Sequence, residues 1–380
     1  RLKDPAETAR LIEAKDFSGD LLLSEVNERL IKVLRMSEYL SPKYHVVVAN
    51  PPYLGSKGMN GHLSVFAKEN YPDSKSDLFA MFMERTLSLS IKHGMMAMIN
   101  MQSWMFLSSY ENLRGKLLTH STILAMAHLG ERGFDTIGGA VVSTTAFVIQ
   151  NAHHVSFKGD YARLVDGNSE AEKAAQMREA IQSSDCDWFF RASAEDFVKI
   201  PGSPVVYWAS SNTFNAFQEA RLGDQAFPRK GLDTGDNERF IRFWFEPEEM
   251  ALGLSSENAV EAVNSLRSWF PINRGGGFRK WFGNHESVIH WHNNGELIKL
   301  AKDATGKVRA NLRSEKFYFS ESITWGAITS ASFSARYCPN GGLFGAGGYS
   351  VFGDRLNNQL GYLSSKVTSY FLKMLSPTLN

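Results

Sequence analysis

Hydrophobic positions change their period several times along this chain, and those changes mark out its elements. Residues 44–49 (Tyr-His-Val-Val-Val-Ala) are a short, apolar, β-branched run, which predicts a strand buried on both faces. Over 76–93, Leu78, Phe79, Phe82, Met83 and Leu87 recur at helical spacing, and Gly94 is placed to cap the helix end. Met95 to Met101 then predict a second buried strand, 110–120 a helix, and 123–129 a third strand. Gly138-Gly139 punctuate the chain before a Val/Thr-rich strand at 140–149. With no clear helix between the last two strands, an antiparallel edge hairpin is expected. Strand, helix, strand, helix, strand predicts an α/β fold with an open, Rossmann-like sheet.

Beyond about residue 150 the pattern changes. Residues 168–183 are polar and rich in Ala, Glu and Lys, consistent with a surface helix or connector. From 195 to 350, Gly, Ser, Asn, Trp and Phe are frequent and helical periods are few, which predicts an irregular, β-rich second domain. Helical periodicity returns at 354–374. The expected division is 1–165 for the sheet domain, 166–195 for a connector and 196–380 for a mixed α+β domain. Both ends read as cut, so a fragment is expected.

Composition narrows this picture only a little. Of the 380 residues, 43% are hydrophobic and 21% charged, an ordinary globular profile. No apolar run approaches the roughly 20 residues of a membrane span. Two cysteines make a disulfide framework or a cysteine-based zinc site improbable, and no metal site is expected from the histidine spacing. A reducing cytoplasm is the expected location. The net charge of +1 leaves nucleic-acid binding open, because DNA affinity depends on local Lys and Arg.

The most specific chemical signal is Asn50-Pro51-Pro52-Tyr53, directly after the strand at 44–49. The exocyclic amine of adenine is a poor nucleophile because its lone pair is delocalised into the ring. A site that methylates it must accept its hydrogens and draw the nitrogen toward tetrahedral geometry. The Asn50 side-chain oxygen and the carbonyl that follows, stiffened by Pro51 and Pro52, suit that task. Tyr53 offers a flat face for an extruded base. A structural turn is the alternative, but open α/β sheets bind ligands at the carboxyl ends of their strands. The motif alone does not separate adenine from a glutamine amide as acceptor. Upstream, Asp20 in Phe17-Ser18-Gly19-Asp20-Leu21-Leu22 is placed to end a strand and accept from the adenine of S-adenosylmethionine; a solvent-facing turn acid is the alternative. No Gly-rich loop precedes Asp20, so this chain alone is expected to be inactive.

The run Val46-Val47-Val48-Ala49-Asn50-Pro51-Pro52-Tyr53-Leu54-Gly55-Ser56-Lys57-Gly58-Met59 resembles the PglX adenine-specific methyltransferases of BREX phage-defence systems. Ser76-Asp77-Leu78-Phe79, Gly138-Gly139-Ala140-Val141, Gly231-Leu232-Asp233-Thr234-Gly235-Asp236-Asn237, Gly275-Gly276-Gly277-Phe278-Arg279-Lys280-Trp281 and Ser322-Ile323-Thr324-Trp325 carry the resemblance along the chain, as does the ending Leu375-Ser376-Pro377-Thr378-Leu379-Asn380. It implies the C-terminal part of a methyltransferase sheet followed by a target-recognition domain, with S-adenosylmethionine as cofactor. Asn50, Pro51, Pro52 and Tyr53 would meet a flipped adenine, and Asp20 the cofactor. Double-stranded DNA and other BREX components are the implied partners. The methylating part of a type IIG-like restriction-modification enzyme and a catalytically silent binding module are the alternatives.

In the second domain, Arg274, Arg279 and Lys280 flank glycines and aromatics, and Arg229-Lys230 lie beside Gly231. Glycine lets a backbone approach phosphate closely, and arginine pairs bidentately with phosphate or guanine. These five are the candidate DNA contacts. The basic run from Lys299 to Arg309 reads as a solvated face, while Trp281, Phe282, Trp291 and Trp325 read as core.

Overall fold

The computed structural model describes residues 4–15, 21–135, 142–254, 256–328 and 332–375. The chain divides into two compact units, Arg1–Ala216 and Phe217–Asn380. Among the described residues no helix is long and apolar enough to cross a membrane.

The first unit opens with two helices, α1 (Pro5–Glu13) and α2 (Leu21–Tyr39). Asp4 caps α1 by accepting from the Glu7 amide. Leu21 and Leu22, expected near a strand end, instead begin α2. The sheet consists of β1 (Tyr44–Ala49), β2 (Ser90–Met101), β3 (Thr122–Gly130), β4 (Thr144–Gln150), β5 (Lys158–Arg163) and β6 (Phe189–Ser193). Its order is β1-β2-β4-β3-β5-β6. β1 and β2 run parallel, as do β3 and β5, while β4 is antiparallel to both β2 and β3. The antiparallel pairing expected for 123–129 and 140–149 is present, but not as an edge: β4 is inserted between β2 and β3. Residues 140–141 lie outside the described residues.

Alternation along the strands gives the sheet two different faces. Met96, Met98, Met126, Phe147 and Ile149 are buried on one face. The helices α3 (Gly61–Asn70), α4 (Leu78–Leu89) and α5 (Glu111–His120) belong to the same unit, the last two burying Phe79, Met83, Leu113 and Leu117. Small residues, among them Ala97, Ala125, Ala127 and Ala146, line a groove on the sheet, with α6 (Glu170–Gln182) supplying Met177 and Ile181. β1 forms the sheet edge, with Val46 and Val48 56% and 73% exposed, so it is not buried on both faces. An apolar run specifies a strand; which neighbours cover it is a tertiary matter.

Two further expectations are corrected. Gly94 lies inside β2 rather than capping α4, which ends at Leu89. A Cβ there would meet the His45 and Ile91 carbonyl oxygens at 3.0 Å, so the glycine serves close backbone approach. The segment 166–195, expected as a connector, carries α6 and β6, and β6 pairs antiparallel with β5.

Among its described residues the second unit holds two sheets. One has the order β10-β13-β12-β15-β7, from Trp281–Phe282, Arg336–Cys338, Ser322–Gly326, Gly348–Phe352 and Phe227–Arg229. The other has the order β14-β9-β11-β8, from Leu343–Phe344, Trp269–Asn273, Ser287–His290 and Ile241–Phe243. Phe240, Phe270, Trp291, Phe319 and Phe344 form the main core, so Trp291 is core as expected. The expected helical stretch at 354–374 is two helices, Leu356–Leu363 and Lys366–Leu375.

Candidate active site

Asn50, Pro51, Pro52 and Tyr53 follow β1 at its carboxyl end. The parallel strands β2, β3 and β5 end on the same side of the sheet, which brings the residues after each of them to a common edge. Pro51 is buried, whereas Asn50 is exposed on the rim of the apolar groove. Its amide has no hydrogen-bond partner among the described residues, leaving both its oxygen and its NH2 for a ligand.

Asp77, the N-cap of α4, fixes the chain just past the motif. Its carboxylate accepts from the amides of Leu54 at 3.0 Å and Phe79 at 3.3 Å. The Leu78 amide donates to the Leu54 carbonyl at 3.1 Å, closing the link from the other side. Tyr53 meets the buried Phe79 ring edge to face at 6.1 Å, and Phe79 packs on Tyr110 at 5.7 Å. One side of the Tyr53 ring is thereby supported while the residue stays 36% exposed. Burial, then the Asp77 charge, raises the Tyr53 phenol above its ordinary value, so the ring remains neutral. Sequence reading placed Asp77 in a motif without giving it this task; an acid before an apolar helical run is the capping signal that points to it.

A polar group absent from the sequence expectations lies at the ends of β2 and β3. His128 Nε2 is 2.6 Å from Gln102 Oε1, and its Nδ1 is 2.9 Å from the Tyr207 hydroxyl. Tyr207 stacks on Tyr161 with centroids 4.6 Å apart. Burial above all, then the charges of Arg163 and Lys173, lowers the His128 pKa to about 3. A single histidine in an apolar strand gives no warning of such a network. Nearby in sequence, Arg114 is buried and donates to the carbonyls of Trp104, Leu107 and Gly202, holding the turn after β2.

The groove has a volume of about 930 Å³ and is lined mainly by alanine, with methionine, valine, isoleucine and phenylalanine. Asp160 and Arg191 are its charged members, and they pair with each other at 2.8 Å. Asp20 and the segment Gly138-Gly139-Ala140-Val141 lie outside the described residues.

The candidate DNA contacts do not form one patch. Arg274, Arg279 and Lys280 share a single loop, with Arg274 and Arg279 exposed. Arg279 lies 3.4 Å from Glu286, and Lys280 donates to the Ser364 carbonyl. Arg229 is on β7, at the opposite edge of the five-stranded sheet from β10. Four strand spacings separate those edges, roughly 19 Å. Arg229 stacks over Phe227 and Phe317, and Lys230 lies over Tyr349. Trp281 and Phe282, expected in the core, are exposed.

The family model described as Eco57I restriction-modification methylase matches residues 7–134. Over 369 residues the chain is 46% identical to the adenine-specific methyltransferase BrxX of Escherichia coli O9:H4 (strain HS), covering 95% of this chain and 29% of that protein. It is 43% identical over 357 residues to the adenine-specific methyltransferase PglX of Lacticaseibacillus casei (strain Zhang), covering 92% of this chain and 30% of that protein. The chain is similar to these adenine-specific methyltransferases, the group its motifs resemble, and spans about 30% of the length of either relative. The type IIL restriction-modification enzyme MmeI, solved in complex with DNA, shares the fold with a TM-score of 0.50 and 11% identity, covering 87% of this chain and 43% of that one.

Proposed function

We propose that this chain supplies the base-accepting loop and the target-recognition unit of a site-specific DNA adenine-N6 methyltransferase that marks host DNA in BREX-type phage defence. The observation that carries this reading is the exposed, unpartnered Asn50 amide at a strand end, anchored through Leu54 to Asp77 and followed by a ring-supported Tyr53. The identity to BrxX and PglX, both named adenine-specific methyltransferases, supports adenine as the acceptor rather than a protein amide. Other BREX components are the proposed partners.

S-adenosylmethionine, when bound, supplies an electrophilic methyl group on a sulfonium. On the acceptor side, Asn50 Oδ1 and the adjoining main-chain carbonyl accept the two amino hydrogens of an extruded adenine. Holding them there would localise the lone pair on nitrogen, as attack on that methyl group requires. One amino proton is then released to water. The rate gain comes from position and from fixed dipoles, because the loop is ordered before the base arrives. Tyr53 stacks on the base and excludes water from one face.

Modified-base sequencing of DNA from cells carrying the intact gene and its neighbours tests this. N6-methyladenine at one short motif is expected with the wild type and lost with Asn50→Ala, while purified Asn50→Ala still binds DNA. A mark that persists in Asn50→Ala removes the residue from the reaction. The match to a restriction-modification methylase favours one second reading, a methylating arm paired with a nuclease, which cleavage of unmethylated DNA by the intact protein would reveal.

A further inference from the structure

The loop at 274–282 is held from beneath and presents its aromatic rings outward. Gly275 and Gly276 have φ values of 88° and 96°, and a Cβ on Gly275 would lie 2.3 Å from the Gly347 carbonyl oxygen. Only glycine fits that path. The Asn273 side-chain oxygen accepts from the Gly275 amide at 3.1 Å. The Asn284 side-chain amide donates to the Gly275 and Gly277 carbonyls, each at 2.9 Å. Arg336 is 0% exposed, and its guanidinium donates to the Gly275 carbonyl at 3.1 Å and the Arg279 carbonyl at 3.5 Å. Trp281 takes φ 75°, a left-handed conformation costly for a bulky residue, and its amide is tied to the Ala335 carbonyl at 3.0 Å.

The result of this bracing is exposure. Phe278, Trp281 and Phe282 are 51%, 56% and 62% exposed, with Arg274 and Arg279 in the same loop. A buried arginine and a strained tryptophan are costly ways to keep three rings in water unless a partner takes them up. A second exposed aromatic group in this unit, Phe243, Trp244 and Phe245, is followed by Glu246, Glu248 and Glu249, which would repel phosphate. The 274–282 loop instead interleaves rings with cations, the pairing that stacks on bases while neutralising phosphates.

We propose that residues 274–282 form a preorganised finger in which Phe278 and Trp281 stack against bases of the DNA target, Arg274 and Arg279 hold flanking phosphates, and Arg336 is the positioning residue. This rests on the DNA-methylating reading above and names the element that enters the duplex.

The test uses the intact protein, duplexes carrying its methylated motif, and 2-aminopurine placed in that motif. Binding is measured across a salt series. Phe278→Ala and Trp281→Ala are each expected to weaken binding roughly tenfold, abolish the 2-aminopurine response and leave the salt slope unchanged. Arg279→Ala is expected to keep the 2-aminopurine response and reduce the slope by about 0.9. Arg336→Met is expected to behave like the aromatic variants, with Arg336→Lys recovering part of the 2-aminopurine response. Asn284→Ala, which loosens the same loop from a less buried position, covers the case in which Arg336→Met fails to fold. Aromatic variants that bind DNA and perturb 2-aminopurine like the wild type would overturn the finger and leave the DNA reading intact, whether or not they lose a protein partner. A wild-type protein without DNA affinity would overturn both.

Discussion

Asp77 shows how one side chain can serve helix and loop together. Its carboxylate caps α4 at the Phe79 amide and holds the Leu54 amide next to Tyr53. Asp77→Ala is expected to cost about 1–2 kcal/mol, the usual value of an N-cap. Methylation per folded molecule should fall as well, because the loop loses its anchor. Asp77→Asn, which retains an accepting oxygen, should recover most of both. Denaturant midpoints paired with single-turnover methylation check this; unchanged turnover in a destabilised Asp77→Ala would confine the residue to capping. His128 gives a pH prediction at the same scale. Its folded-state pKa of about 3 lies below the ordinary 6.5 because burial, then Arg163 and Lys173, disfavour its charged form. The unfolded chain therefore takes up a proton as pH falls through about 6.5 while the folded chain does not. Stability from this group is complete above that point and is lost as pH falls toward 3. Between about pH 7 and about pH 4.5 the loss is on the order of 2 kcal/mol. His128→Gln should flatten the pH dependence of the unfolding midpoint across this window, and an equal slope in both proteins would contradict the buried neutral ring.

Elements were legible where their signal is local. The strand at 44–49 is β1 to the residue, and the apolar period over 76–93 is α4. The helix at 110–120 is α5 with a short turn before it. What escaped was decided between elements. Val46, Val47 and Val48 read as doubly buried, yet their strand is the sheet edge. The segment of β4 reads as an edge partner and lies in the interior. Trp281 and Phe282 have core composition but are turned outward by a backbone geometry that composition does not encode. Lys173 shows the reverse error: within a polar Ala/Glu/Lys-rich helix it reads as solvated, but it is buried. Its ammonium donates to the Leu129 carbonyl at 2.8 Å and the Leu164 carbonyl at 2.6 Å, pinning α6 to the ends of β3 and β5. Lys173→Met keeps the aliphatic stem and leaves two carbonyls without this donor, at an expected cost of about 2–4 kcal/mol. Urea unfolding monitored by circular dichroism reads this directly, and a cost below about 0.5 kcal/mol would place the contacts among surface-like ones.

At the scale of the molecule, the sequence placed the change of character near residue 150, whereas the compact units meet at Ala216 and Phe217. The shift follows from β6 and α6: polar composition suggested a linker, but pairing with β5 makes 189–193 the last strand of the sheet. Each unit has its own sheets and its own buried cluster, Ala162, Leu164 and Ala180 among the residues of the first and Phe270, Trp291 and Phe344 among those of the second. Separate cores and separate hydrogen-bonded ladders are the condition for separate cooperative unfolding. Calorimetry is therefore expected to resolve two transitions. Trp291→Ala removes a fully packed ring from the second core, at a cost of about 3–5 kcal/mol, and should lower one transition only. Lys173→Met should lower the other, and the double variant should show both shifts unchanged, as distant sites add. If either substitution moves both transitions together, the two units unfold as one body; if the shifts stay separate, each unit is a cooperative body of its own.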